Sequence, residues 1–278
     1  MSELEPRLPT IFFGHGSPME ALGGRFADQW RRLGAALPRP RAILMVSAHW
    51  FVDETAVTAM AMPRTIHDFY GFPEELFAVQ YPAPGEPWLA QRVANQLSPL
   101  PVKADHDWGL DHGTWSVLRH AFPHADVPVV QLSINRMKPP SFHFEMGRRL
   151  RDLRDEGVLV AGSGDVVHNL RAVRWQDGAP PYDWAIRFNT LVRETIATGD
   201  RGSLVDYLAL GDDAKHAAPT PDHYLPLLYV LGAAYDDEPA VFFTDEIALG
   251  SIGMLGVALG RPQPGDNDLA AAVAPKQP

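Results

Sequence analysis

The chain has 278 residues, 46% hydrophobic and 21% charged, the makeup of a globular protein long enough to bury a substantial core. A formal net charge of −10 argues against a nucleic-acid partner, because gripping a phosphate backbone takes clustered Lys and Arg. There are no cysteines, so disulfides, iron–sulfur clusters and a cysteine nucleophile are excluded, and any metal must be held through nitrogen and oxygen.

Residues 1–6 are acidic and lack the basic-then-apolar pattern of a secretion signal. No apolar run approaches the ~20 residues of a membrane helix, so no membrane partner and a cytoplasmic location are expected. A strand is expected over 10–13, stopping at Gly14-His15-Gly16, with a helix after Ser17-Pro18, where Ser caps and Pro fits the first turn. The apolar run 41–47 reads as a second strand ending at His49-Trp50, and 56–60 as a third. An aromatic, proline-rich loop from Asp68 to Gly85 follows; it is read as core packing or as a wall for a substrate. Residues 87–97 look helical, as do 111–120 behind a capping Asp111. Residues 127–134 form a strand that begins near Pro128.

A helix is expected over 142–154 and an apolar strand over 157–161, ending at Gly162-Ser163-Gly164-Asp165. Helices over 183–197 and 221–234 and strands over 240–244 and 251–257 complete the pattern. Strands alternating with helices predict one α/β domain over 1–260, with a central mixed β-sheet covered by helices on both faces. The stretch 261–278, rich in Pro, Ala, Asp and Gln, reads as a disordered tail.

Five histidines stand at turns or helix starts: His15, His49, His112, His168 and His223. Imidazole is the commonest metal ligand and moves protons near neutral pH. In open α/β sheets ligands bind beyond the carboxyl ends of the strands, so His15, His49 and His168 are expected to converge there, within reach of His223. Each has a plainer reading. His15 is equally a turn residue, and its glycines could cradle a phosphate, although no Walker lysine is present. His49 could be a hydrogen-bonded core histidine, His168 a helix-start residue, and His112 a ligand, a hydrogen-bond donor or a cap. For His223, the neighbouring Asp222 could bind instead. Ser163 lacks the Gly-x-Ser-x-Gly elbow of a hydrolase nucleophile. His67, His106, His120, His124, His143 and His216 read as surface or structural residues.

The ordered pieces Phe13-Gly14-His15-Gly16-Ser17-Pro18, Val46-Ser47-Ala48-His49-Trp50, Tyr81-Pro82-Ala83-Pro84-Gly85, Asp111-His112-Gly113-Thr114-Trp115, Gly162-Ser163-Gly164-Asp165-Val166-Val167-His168-Asn169-Leu170 and Pro219-Thr220-Pro221-Asp222-His223-Tyr224 resemble the class III extradiol ring-cleavage dioxygenases, in particular the branch called 4,5-DOPA dioxygenase extradiol. The resemblance covers the chain up to about Leu259. It implies cleavage of a DOPA-like catechol by O2 at a non-haem Fe(II) bound by His15, His49 and His223. It makes His168 the acid/base residue and puts His112 beside substrate or oxygen. Three neutral ligands would leave the cation's charge undiminished until substrate binds, unless Asp222 supplies a carboxylate. The alternative is a zinc-dependent hydrolase built on the same cluster, with Zn(II) also able to occupy an iron site. A non-catalytic ligand-binding protein is the third reading.

Overall fold

The computed structural model describes residues 7–176, 178–260 and 269–274. Ten strands are described: β1 Thr10–Gly14, β2 Ala42–Val52, β3 Ala56–Thr58, β4 Lys103–Asp105, β5 Val129–Asn135, β6 Val158–Gly164, β7 Ala240–Thr244, β8 Ile247–Ala248, β9 Ile252–Gly253 and β10 Gly256–Leu259. The α-helices are α1 Ala27–Ala36, α2 Glu74–Phe77, α3 Pro87–Leu97, α4 His112–Ala121, α5 Pro140–Leu150, α6 Asp183–Thr198, α7 Asp212–Ala217, α8 Leu225–Ala233 and α9 Leu269–Val273. Eight strands make one mixed sheet in the order β4-β3-β5-β2-β6-β1-β10-β7. The four central strands, β5, β2, β6 and β1, are mutually parallel, so their carboxyl ends share one edge.

The central strands are buried on both faces, and their residues alternate between two cores. Phe12, Leu44 and Val160 face one layer with Leu89, Leu150, Phe188 and Leu228. Ile11, Met45 and Leu159 face the other, with Trp30, Leu118 and Trp115. A strand's period of two sends neighbours to opposite sides, and helices on both faces then bury both sets. The helix α8 is buried on every side, which matches its unbroken apolar sequence. Both faces are therefore covered, as the alternation of elements implied.

Four local expectations change. The strand over 41–47 extends through His49 to Val52, because the chain bulges rather than turns there. The helix α1 was not anticipated; Asp28, Gln29, Arg31 and Arg32 interrupt its apolar signal, while Trp30 and Leu33 are buried. The helix expected from 221 begins at Leu225, and the preceding residues form a turn closed by the Tyr224 and Leu225 N–H groups donating to Pro221 O. Residues 251–257 carry two short strands, β9 and the start of β10, instead of one. Within the tail, α9 is docked rather than loose: Val273 is buried, and Arg32 Nη1 donates to Ala274 O at 2.9 Å. The rest of the expected disordered tail, and residues 1–6, lie outside the described residues.

Candidate metal centre

The carboxyl edge of the central strands is where the five histidines meet. His15 follows β1, and its N–H donates to Gly164 O at the end of β6 at 3.1 Å. His49 lies inside β2, where pairing with β5 jumps from Val46–Leu132 to Phe51–Ile134. The extra residues on β2 form a bulge, which re-aims a side chain that a regular strand would have fixed. His112 opens α4 behind Asp111, whose side chain accepts the Thr114 N–H at 3.1 Å. His168 lies beyond β6, with its N–H bonded to Ala217 O at 2.7 Å. His223 sits in the turn before α8.

Two glycines permit this convergence. A Cβ on Gly113 would fall 2.5 Å from Ser47 Oγ and 2.8 Å from His49 Cδ2. A Cβ on Gly164 would fall 2.2 Å from His223 O, where the turn before α8 leans on β6. Only a missing side chain allows backbone to come this close.

The rings of His15, His49 and His223 form a near-equilateral triangle, with centroids 5.1, 5.3 and 5.0 Å apart. His112 lies 3.8 Å from His49 by centroid, and His168 stacks on His223 at 3.4 Å with 6° between the planes. His15 Nε2 and His49 Nε2 are 3.2 Å apart, close to the separation of two ligands sharing one cation at ~2.0–2.1 Å from each nitrogen. Among the described residues, three sets could hold a cation with donor atoms within 4.8 Å of one another: His15, His49 and His112; His15, Asp165 and His223; and His168, Asp222 and His223.

Two rings of the triangle have a hydrogen-bond acceptor at the outer nitrogen, and the third has a carboxylate nearby. Ser163 Oγ donates to Gly113 O at 2.5 Å, so it receives the Nδ1–H of His15 at 2.9 Å. Asp222 Oδ2 accepts the Nδ1–H of His223. Asp68 Oδ2 lies 3.4 Å from His49 Nδ1. For His15 and His223 these acceptors put the proton on Nδ1 and leave Nε2 with its lone pair, the state found in histidines that ligate metals. The same Asp68 accepts the backbone N–H of His112 at 2.8 Å through Oδ1. Its Oδ2 lies 3.0 Å from His112 Nδ1, without the alignment of a full hydrogen bond. Beneath, Ser47 Oγ donates to Asp111 Oδ1 at 2.7 Å and supports the β2 bulge by accepting the His49 N–H at 3.3 Å.

Burial, then repulsion from neighbouring imidazoles, holds His15 and His49 well below the usual histidine pKa. Burial also pushes His168 far down, helped by His223 and opposed by Asp222. All three are neutral at physiological pH, the state a metal ligand or a general base requires. Burial pulls Asp222 upward, but its hydrogen bonds to His223 and Thr220 and its attraction to His223 and His168 together outweigh this and keep it ionised.

The aromatic loop serves partly as core. Phe69 packs on Phe72, Phe77 and Trp115 and meets His112 edge-on at 5.5 Å. That packing holds Asp68 against the cluster, whereas Tyr70 is exposed.

The chain is similar to known proteins. A family model described as the catalytic LigB subunit of aromatic ring-opening dioxygenase matches residues 19–260. The chain belongs to this family. It is 50% identical over 259 residues to 4,5-DOPA dioxygenase extradiol of Escherichia coli (strain K12), across 91% of this chain and 95% of that protein. The protein of the same name in Beta vulgaris is 36% identical over 240 residues, across 83% of this chain and 88% of its own. A crystal structure of an uncharacterized protein from Escherichia coli K12 superposes with a TM-score of 0.80 at 46% identity, covering 91% of this chain and all of that one. The protein is thus an extradiol aromatic ring-opening dioxygenase, as the ordered motifs implied. No helix among the described residues is long and apolar enough to cross a membrane.

The five histidines singled out from sequence all belong to this cluster. Sequence reasoning missed Asp68, Asp165 and the role of Ser163. Ser163, which the sequence presents only as a poor nucleophile candidate, holds His15, a residue 148 positions away.

Proposed function

We propose that the chain opens the ring of a DOPA-like catechol with O2, using a non-haem Fe(II) held by His15, His49 and His223. The observation that carries this is the packing of the three rings at one sheet edge, with centroids 5.0–5.3 Å apart, the Nδ1 atoms of His15 and His223 held by outer acceptors and the Nε2 atoms of His15 and His49 3.2 Å apart. Nitrogen donors in a buried site suit Fe(II), and they suit Zn(II) as an adventitious occupant. When bound, the cation supplies acidification of the catechol hydroxyls and a path for electron density from ring to oxygen. The names of the relatives support a DOPA-like substrate.

The chain's own residues do the proton work. Neutral His168, stacked on His223, accepts the catechol proton at an imidazole nitrogen and returns it as the ring opens. His112, held by Asp68 through its backbone N–H, presents its ring beside His49 to hydrogen-bond substrate or oxygen. Burial of His15, His112 and His223 keeps bulk water from competing for these positions. The partners are then a small catechol and O2, in the cytoplasm.

The test is reconstitution with Fe(II) without air, followed by a catechol panel and then oxygen. A coloured ring-opened product should form only after oxygen enters. No oxygen-dependent product from any catechol would count against the dioxygenase reading and leave the zinc-hydrolase reading standing.

A further inference from the structure

The turn after His168 carries a cation that none of these roles uses. His168 itself is pinned by its N–H to Ala217 O at 2.7 Å and by a β-bridge to Ile252. The next residue, Asn169, spends every polar group on holding the chain. Its N–H donates to Ser251 O at 3.2 Å, and its carbonyl accepts from Ser251 Oγ at 2.9 Å. Its side-chain Nδ2 donates to His216 O at 2.8 Å, and Oδ1 accepts the Arg171 N–H at 3.1 Å. That last bond caps a single 3-10 turn, Leu170–Ala172.

The backbone of this turn is fixed, yet its side chains are bare. Leu170 is 64% exposed, and Arg171 is exposed beside it. Among the described residues, Arg171 is the exposed cation whose side chain meets no carboxylate, carbonyl or ring. Arg174, on the same loop, is committed: Nη1 donates to Pro180 O at 2.7 Å, and the guanidinium lies 3.9 Å over the Tyr182 ring. Residues 166–176 contain no Asp or Glu. Three residues span at most about 11 Å, so the Arg171 backbone starts within that distance of His168. His168 stacks on His223 at 3.4 Å. A catechol whose hydroxyls reach these two rings therefore has its side chain within range of a long, free guanidinium. That group grips a carboxylate through two parallel N–H···O bonds. A chain of net charge −10 also repels an anion at long range, and a cation beside the site offsets this locally.

We propose that Arg171 is a specificity-determining residue that pairs with a carboxylate on the substrate's side chain. The inference rests on the dioxygenase reading above and deepens it: the substrate class is catechols with an anionic side chain, rather than catechols at large. Arg171 takes no part in the proton transfers, so its contribution falls on binding and not on the chemical step.

The test is titration calorimetry of the Fe(II)-loaded chain without air, at low salt, with two probes. One is dihydrocaffeate, a catechol with a propionate side chain; the other is its methyl ester, which keeps the stem and removes the charge. Wild type should bind the acid ~10-fold more tightly than the ester, the scale of a charge-assisted hydrogen bond. Arg171→Gln should abolish this preference by weakening the acid alone, and Arg171→Glu should reverse it. On admitting oxygen, KM for the acid should rise in both variants with kcat unchanged. Equal affinities in wild type would overturn the proposal, as would a preference that survives either substitution or an equal loss for both probes; these results leave the dioxygenase reading standing. If wild type binds neither probe and opens neither with oxygen, that reading falls and this one with it. Thermal melting checks folding, and if one variant fails to fold, the wild-type comparison and the other variant decide.

Discussion

The strands β1 and β6 end in two very different polar clusters. Near their starts, Arg154 is fully buried and every one of its contacts is answered. Nε donates to Leu8 O at 2.7 Å and Nη1 to Ala233 O at 2.8 Å, and both Nη groups pair with Glu238 at 2.7–2.8 Å. Glu238 Oε2 also accepts the Tyr235 N–H at 2.8 Å. At the other end, His15 and Asp165 sit among close-packed imidazoles, with His15 Nε2 3.2 Å from His49 Nε2, and Asp165 Oδ2 has no partner. The first network is complete within the chain, and the second is complete only with something added. A buried network left incomplete at one edge marks function, and a satisfied one at the other marks stability.

Substitutions at the two edges should therefore separate cleanly. The largest effect is expected for His168→Gln: turnover should fall ~10²–10⁴-fold, the usual share of a general acid/base, while metal content and melting temperature stay at wild-type values. Loss of metal in this variant would mean that His168 is a ligand and that its role is misassigned. The mirror experiment is Arg154→Met, which strands the Glu238 carboxylate in the interior. It should cost about 3–5 kcal/mol in urea denaturation and leave metal affinity of the folded fraction untouched. A change in metal affinity would break the division between the two edges.

A buried histidine outside both networks sharpens the contrast. His143 Nδ1 meets Tyr229 Oη at 3.0 Å between α5 and α8, and burial lowers its pKa to about 4. The unfolded chain binds this proton more readily, so the contribution is full above about pH 6.5. It is lost as pH falls, and levels off below about 4. In metal-free protein, the difference in stability between wild type and His143→Gln should shrink by up to about 3 kcal/mol across that window. A difference independent of pH would show that His143 is not buried in its neutral form. The smallest effect is expected at Ser163. Ser163→Ala frees the His15 tautomer and should weaken metal binding ~10–100-fold, with His15 still present as ligand. No change would mean that the outer acceptor does not orient His15.

Much of the site was legible because its histidines stand in distinctive surroundings. His15 between glycines, His49 at the end of an apolar run and His168 after Gly162-Ser163-Gly164-Asp165 are local signals, and the alternation of strands and helices says which edge they share. What supports them is non-local. Asp68 looks like one more polar loop residue until the packing of Phe69 brings it to His112. Ser163 reads as the end of a glycine-rich strand until β1 lies beside β6. The bulge at His49 is invisible because Ser47, Ala48 and Trp50 fit a regular strand as well as a broken one. The helix α1 escaped because its charged outer face dilutes an apolar stripe that only the core reveals.

Oxygen uptake by the chain titrated with Fe(II) in the presence of a catechol tests the central claim most directly. One Fe(II) per chain should saturate the rate, with one O2 consumed per catechol opened, and His15→Ala, His49→Ala and His223→Ala should each abolish uptake. Uptake that saturates at a different stoichiometry, or that survives loss of any of these three imidazoles, would contradict a single cation at their meeting point.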